Sequence, residues 1–190
     1  MYKLKRMLVW IRRMRHSRGF GVQSPSDYRF IRYVINEHYP YYAYDDLRHS
    51  IRDIDQKTRK LCRFYLRVAN WRQAQTIVDY QPETEAYGRY MQAGCHRSRL
   101  VNRLDGLSGP IELLRMSLHG DYEQFFNRAA TQTDSRSVFI IERIKRDKQT
   151  EAFWHRVQQD ERTGVTFDLY YCGVVFFNHQ RYKQSYIVNF

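Results

Sequence analysis

An acidic residue at the end of an apolar segment is the first feature of this sequence that could take part in chemistry. The segment TIVDYQPETEAYGRY, residues 76–90, predicts a buried strand over 76–80 that carries Asp79 near its end. In a nucleotide-binding fold the loop that follows is rich in glycine, because the backbone must approach the ligand closely. Here residues 81–85 read QPETE. The segment is therefore either a cofactor site of unusual composition or one that has lost its ligand.

Residue types that bind metals or act as nucleophiles are scattered along the chain. Cys62, Cys95 and Cys172 are odd in number and form no CxxC pair, which argues against a disulfide framework or a structural zinc site. The histidines show no HxH or HxxxH spacing. No Ser-His-Asp order or paired-acid spacing is present either, so the sequence predicts no catalytic residue and no metal ligand.

Composition predicts one packed domain with a strongly basic surface. The 190 residues are 43% hydrophobic, which is enough for a sizeable core, and the formal net charge is +12. Such a charge is compatible with nucleic acid, an anionic membrane surface or acidic ligands, and it does not choose among them. No apolar run reaches the roughly 18 residues of a membrane span. We therefore expect no transmembrane segment, and the cysteine usage described above fits a reducing cytoplasm best.

Residues 1–15 predict a short amphipathic helix with basic residues around an apolar stripe. The basic residues are Lys3, Lys5, Arg6, Arg12, Arg13 and Arg15. They could contact a polyanion, either nucleic acid or a membrane surface. Alternatively, the helix docks its apolar stripe on the domain or on a second subunit, and we favour docking. The N-terminal helix is then the expected contact for a homo-oligomer or a protein partner.

Strands that alternate with helices predict an α/β sandwich with a largely parallel sheet. Residues 137–144 read as a buried strand, Asp147 as the cap of the next helix, and the β-rich tail from 165 as antiparallel strands. Residues 111–118, IELLRMSL, are compatible with helix or strand. We divide the chain into an N-terminal helical extension, 1–57, and an α/β domain, 58–190.

Several segments together resemble class I S-adenosylmethionine-dependent methyltransferases, in particular a bacterial group with an N-terminal helical extension. They are RHSRGFGVQSPSDYRFIRYVI, SVFIIERIKRD, AFWHRV, VTFDLYYCGVVFF and KQSYIVNF. The resemblance covers most of the chain and rests on segment order. It implies a Rossmann-like methyltransferase-type sandwich whose mostly parallel central sheet ends in antiparallel C-terminal strands.

The resemblance also implies where a cofactor would lie, over the carboxyl ends of the central strands. Asp79 matches the family's acid at the end of the first strand, near the cofactor's amino-acid end. The glycines of the family's loop fall on Gln81 and Glu85, and Gly88 is the nearby glycine that remains. Asp105 falls about where the family places the carboxylate that holds the ribose.

The sequence departs from the family at other positions of the same edge. Ser117 replaces an acid, and Glu142 with Arg143 stands where relatives carry a pair of aspartates. Almost nothing lies between Gly106 and Ile111, where the family has a helix, its third strand and another helix. We expect a sheet shortened by this third-strand edge unit. Because a parallel crossover needs about a dozen residues, the short connection favours a helix over 111–118.

These departures predict a degenerate methyltransferase-like protein without catalysis that acts as a binding or assembly scaffold. No cofactor is then expected, and the five matched positions are vestigial. One alternative is an active methyltransferase with an atypical loop, which would bind S-adenosylmethionine. Another is a basic nucleic-acid-binding protein, although the sequence shows no nucleic-acid-recognition motif.

Overall fold

A computed structural model of the chain describes residues 2–16, 19 and 21–190, with side chains from residue 7 onward. The helices are α1 (Tyr2–Arg12), α2 (Pro25–Phe30), α3 (Ala43–Ser50), α4 (Gln56–Arg72), α5 (Ala86–Gly94), α6 (Tyr122–Ala130) and α7 (Lys148–Gln159). The strands are β1 (Thr76–Tyr80), β2 (Arg99–Val101), β3 (Leu113–Ser117), β4 (Val138–Glu142), β5 (Thr166–Asp168), β6 (Cys172–Phe176) and β7 (Ser185–Ile187). A 3-10 turn (Met14–His16) follows α1, and a π-helix (Ile31–Ile35) continues α2.

The strands form one seven-stranded mixed sheet in the order β2-β1-β3-β4-β6-β5-β7. Neighbouring strands pair in parallel, except that β6 is antiparallel to both β4 and β5. The predicted fold class is confirmed, and β2 lies at the edge of the sheet, as expected after loss of the third-strand unit. The tail pattern predicts an antiparallel last strand, whereas β7 pairs in parallel with β5.

Residues 111–118 contain a strand, so the helix that the short connection favoured is wrong. Strand β3 lies in the centre of the sheet between β1 and β4. The crossover is feasible because β2 ends after three residues and leaves residues 102–112 to cross from the edge to β3. Leu104 and Ile111 of this segment are buried in the same apolar cluster as Val78 of β1. The crossing segment thus helps to cover the face of β1 that would otherwise need a helix.

Helices cover both faces of the sheet. Helices α4 and α5 pack on one face, with Ile77 of β1 in their cluster, and α6 and α7 pack on the other, with Val78 in theirs. Because successive side chains of a strand point to opposite faces, this assigns every central strand residue to one layer. Strands β3 and β4 are buried throughout, which explains their continuous apolar sequences.

Helix α1 is tied to the far end of the sheet by Arg13, which is 9% exposed. Its guanidinium donates to the Asp168 carboxylate at 2.8 Å and to the Asp168 backbone carbonyl at 3.0 Å. The backbone N–H of Asn189 donates to the carbonyl of His16 at 3.0 Å, just beyond α1. The N-terminal extension therefore packs against the strands at the C-terminal end of the chain.

The π-helix is held by Arg67 of α4, whose guanidinium donates to the carbonyls of Val34 at 2.6 Å and Ile35 at 3.0 Å. These bonds satisfy two carbonyl groups where the helix ends and intrahelical donors run out. The predicted division between residues 57 and 58 falls within the first turn of α4 and stays a prediction. None of the helices in the described ranges is both long and apolar enough to cross a membrane.

Candidate functional site

Strands β1, β3 and β4 bring three charged side chains together near their carboxyl ends. Asp79 is the register partner of Arg115, and Arg115 is the partner of Ile140, two residues before Glu142. Residues two apart on a strand share a face, so Asp79, Arg115 and Glu142 form a row on the face covered by α4 and α5. We call these three residues the edge network. Asp79 thus lies near the carboxyl end of β1, where the sequence predicts an acid.

Arg115 is the centre of the edge network and is fully buried. Its Nε atom lies 3.2 Å from Asp79 Oδ1 and 3.4 Å from Glu142 Oε1. Its Nη1 atom donates to the Tyr80 carbonyl at 3.1 Å, and the guanidinium stacks 4.7 Å from the centre of the Tyr87 ring. The single Arg115 cation therefore pairs with two carboxylates. Asp79 is 4% exposed and Glu142 is 2% exposed.

Burial controls the protonation of the edge network. It raises the pKa of Glu142, against the opposing effects of the Arg115 charge and a hydrogen bond that the Tyr65 hydroxyl donates to Oε1. Burial also raises the pKa of Asp79, and the Arg115 charge only partly offsets it. The two carboxylates compete for a single guanidinium. The network therefore favours retention of a proton on one of them.

A second polar layer lies outside the edge network and is organised by Glu83. Its Oε1 atom forms an ion pair with the Arg143 guanidinium, accepts a hydrogen bond from Ser117 Oγ at 3.3 Å, and lies 3.7 Å from His119 Nε2. Partial burial opposes ionisation of Glu83. The Arg143 hydrogen bond and charge outweigh it and lower the pKa of the carboxyl. Arg143 thus neutralises an acid from the β1 loop.

The end of β1 contacts α6 through an aromatic stack, and the residue after β1 lies near the loop after β3. The Tyr80 ring stacks on Phe125 of α6 with centroids 3.5 Å apart and planes at 9°. The Gln81 amide donates to the Tyr80 hydroxyl at 3.1 Å, and a methyl group on Gly120 would lie 3.3 Å from that amide nitrogen. Gln81 is exposed and adopts a left-handed backbone, φ 47°, that glycine would adopt without strain.

The other predicted cofactor positions have separate environments. Glu85 is exposed and caps the start of α5 without a side-chain hydrogen bond. Gly88 is buried in α5, and a Cβ atom there would lie 2.6 Å from the Leu100 side chain and 3.7 Å from Asp79 Oδ2. Asp105 lies in the crossing segment after β2 and forms an exposed ion pair with Arg128 of α6. The structure thus brings Asp79 and Gly88 together and leaves Glu85 and Asp105 at the surface.

The basic residues of the N-terminal helix divide into three groups. Arg12 and Arg15 are exposed. Arg13 is buried against Asp168, so it docks the helix and is not part of an exposed basic face. Lys3, Lys5 and Arg6 were predicted for the same polyanion contact, and they lie outside the residues whose side chains the structure describes.

Nothing in the described part of the chain groups three or more His, Cys, Asp or Glu side chains so that they could hold a metal ion. At the end of β4 the side chains are Glu142, bound to Arg115 and Tyr65, and Arg143, bound to Glu83. Divalent metals such as Mg²⁺ and Ca²⁺ need several anionic or neutral oxygen ligands, and a guanidinium cannot supply one.

Sequence reasoning missed the residue that organises this edge. Arg115 lies inside the apolar run IELLRMSL, where a single basic residue reads as the polar face of a helix. Only the alignment of three strands shows that two acids flank it. Tyr65 and Tyr87, which close the network from α4 and α5, carry no sequence signal that separates them from ordinary core aromatics.

Comparisons with known proteins identify the fold. No protein-family model and no curated protein matches the sequence. Among solved structures, cofactor-bound Rv0187 from MTB superposes with a TM-score of 0.53 at 10% identity, over 72% of this chain and 88% of that one. The Bacillus cereus O-methyltransferase in complex with SAH gives 0.51 at 10% identity, over 76% and 96% of the two chains.

The SAH-bound Podospora anserina methyltransferase PaMTH1 gives a TM-score of 0.54 at 9% identity, over 82% of this chain and 96% of that one. The chain therefore has the Rossmann-like fold of class I S-adenosylmethionine-dependent methyltransferases. At these identities the likeness concerns the fold, and function has to be argued from the residues at the carboxyl edge.

Proposed function

We propose that this chain is a methyltransferase-fold protein without methyl-transfer activity that acts as a binding or assembly scaffold. One observation carries the proposal: the Arg115 guanidinium is fully buried between Asp79 and Glu142 at the edge where the fold binds its cofactor. A cation in that position forms an ion pair with Asp79, the acid of β1, and takes up the space beside it.

The residues of this edge do not fit S-adenosylmethionine. Asp79 is 4% exposed and faces Arg115, so it is not open to the cationic amino-acid end of the ligand. The Glu83–Arg143 ion pair joins the loops after β1 and β4, and the Tyr80–Phe125 stack joins the end of β1 to α6, where a nucleoside would have to enter. Opening the site would break this partly exposed ion pair and the aromatic stack, which costs free energy that ligand binding must supply.

An active methyltransferase with an atypical loop is the second candidate. Its support is the acid Asp79 at the end of β1 and the packing of Gly88 beside it, in a fold whose solved neighbours include SAM- and SAH-bound proteins. For that function, Asp79 would have to exchange Arg115 for the cofactor's amino group.

Thermal unfolding with S-adenosylmethionine and with S-adenosylhomocysteine separates the two candidates. We expect no change in Tm at millimolar ligand. A ligand at 100 times its Kd stabilises the native state by about 2.7 kcal/mol, and a domain of this size would then melt several degrees higher. The Bacillus cereus enzyme under the same conditions is the positive control. A saturable rise in Tm with this chain would contradict the proposal.

We place the assembly surface on the exposed apolar side of α1 and propose a second copy of this chain as its partner. Met7 and Ile11 recur at helical spacing on α1 and are 51% and 52% exposed, and Leu8 beside them is 49% exposed. Contiguous exposed apolar residues on a helix that is itself fixed to the domain by Arg13 favour a contact between proteins.

A further inference from the structure

A cavity of about 820 Å³ lies away from the edge network, between α1, α4 and the C-terminal end of the chain. Its walls include Trp10 of α1, the segment 36–39 that follows the π-helix, and Phe190. The volume lies within the range of about 300–1,000 Å³ that is usual for small-molecule sites. No residue of the edge network is among its described lining residues. The cavity is therefore a separate candidate for ligand binding.

One side of the cavity is formed by the basic residues of a single face of α4: Arg59, Lys60, Arg63 and Arg67. Among the lining residues that the structure describes, Glu37 is the one acidic side chain. Its Oε1 atom accepts hydrogen bonds from the backbone N–H groups of His38 and Tyr39 at 2.8 and 2.9 Å. The carboxylate is thus held by backbone donors, and because four basic side chains outnumber it, the wall has a positive potential that favours an anion.

Three residues that line this cavity carry a buried side-chain nitrogen with no hydrogen-bond partner among the described residues. They are Asn36 Nδ2, Arg59 Nη1 and Arg63 Nε. The Tyr90 hydroxyl lies beside the Arg59 guanidinium but does not reach hydrogen-bond geometry, whereas Arg67 is satisfied by two carbonyls. Buried polar groups are normally satisfied. All three of these atoms are donors, so this wall carries guanidinium and amide groups that favour acceptor oxygens.

We propose that this cavity binds a small organic phosphate that carries a planar, apolar body. A phosphate offers several charged acceptor oxygens to the two guanidinium groups and the amide, more than a carboxylate does. The ring systems of Trp10, Tyr39 and Phe190 supply the apolar walls against which the body of the ligand packs. The inference does not depend on the proposed loss of methyl transfer, because the two sites share no residue.

Calorimetric titration of the full chain in phosphate-free, low-salt buffer tests the proposal. The probes are adenosine 5′-monophosphate and phenyl phosphate, with adenosine and phenol as their uncharged counterparts. We expect saturable binding of at least one phosphate probe, with its uncharged counterpart at least tenfold weaker. Arg59→Gln and Arg63→Gln should each weaken binding at least tenfold. Arg99→Gln removes the same charge from an exposed position on β2 and should leave binding unchanged.

Circular dichroism and Tm of each variant verify the fold. If a glutamine variant fails to fold, lysine at the same position, Arg59→Lys or Arg63→Lys, replaces it, since it keeps the charge, loses the guanidinium donors and should still bind more weakly. The inference is overturned if neither phosphate probe binds saturably, or if the arginine variants bind as tightly as the wild type. Binding only to vesicles that contain phosphatidate, with no binding of soluble phosphates, would also overturn it in favour of a lipid headgroup.

Discussion

Arg115 has one positive charge and lies between two buried carboxylates, so removing it leaves two acids without a partner. We expect Arg115→Met to lower the free energy of unfolding by about 3–5 kcal/mol, the usual cost of breaking a buried ion pair from one side. Urea unfolding followed by circular dichroism measures the change.

The matched control is Arg128→Met, which removes an arginine from the exposed ion pair with Asp105. Exposed pairs contribute little, so its stability should stay close to that of the wild type. A triple variant, Asp79→Asn with Arg115→Met and Glu142→Gln, should recover part of the lost stability. Equal losses for Arg115→Met and Arg128→Met would contradict the assigned role of the edge network.

Protonation of Asp79 gives the edge network a signature in the pH dependence of stability. Burial raises the pKa of this carboxyl above its ordinary value of 3.8, so the folded state holds the proton to higher pH than the unfolded chain does. The stability that this bound proton contributes is fully present below the pKa of Asp79 in the unfolded chain. It is lost as pH rises through the higher pKa of Asp79 in the folded state.

Asp79→Asn removes this titration and leaves Arg115 paired with Glu142 alone. We therefore expect the variant to gain stability relative to the wild type as pH rises from 4 to 7, as measured by chemical unfolding at each pH. Parallel stability curves for the two proteins over that range would contradict the assignment.

Helix α1 is expected to depend on one buried side chain for its position. Arg13→Gln removes the charged bonds to Asp168, so the amide protons of residues 7–16 should exchange faster, as seen by hydrogen–deuterium exchange and mass spectrometry. Arg12 is exposed and adjacent, so Arg12→Gln provides the control. The same acceleration in both variants would show that charge in general, and not the Asp168 contact, holds the helix.

Elements with a local signal were predictable from the sequence, and elements defined by their neighbours were not. Strand β1 has the bounds that its apolar run predicts, and Asp147 caps α7 as expected, with a capping box to Thr150. Strand β3 was missed because its short apolar run fits helix or strand, and the short connection before it then favoured a helix. The crossing segment 102–112 was missed because no sequence pattern shows that loop residues can cover a sheet.

The same distinction holds for the site. The position of Asp79 follows from a single strand and was predicted, whereas its ion pair with Arg115 depends on the register of β1 with β3. Gln81 and Glu85 stand where the resemblance places the loop glycines. Both are exposed, and the side chains that join the edge are Tyr80, Glu83 and Arg115.

The whole molecule is expected to self-associate through α1. Sedimentation velocity over a concentration series should show a dimer that Ile11→Glu dissociates, because the substitution places a charge at the centre of the apolar stripe. Tyr182 is 93% exposed on a different part of the chain, so Tyr182→Glu should leave the association unchanged. A wild-type chain that stays monomeric at every concentration would contradict the assembly proposal.

The central claim is that the carboxyl edge of this methyltransferase fold is closed to its cofactor. Isothermal titration calorimetry of the wild-type chain with S-adenosylhomocysteine at two temperatures measures this directly, because binding that is thermally silent at one temperature gives heat at the other. We predict no saturable heat up to millimolar ligand, because Asp79 is already paired with Arg115 and the Glu83–Arg143 ion pair joins the loops above it. A saturable isotherm with a micromolar Kd and one site per chain would contradict the account.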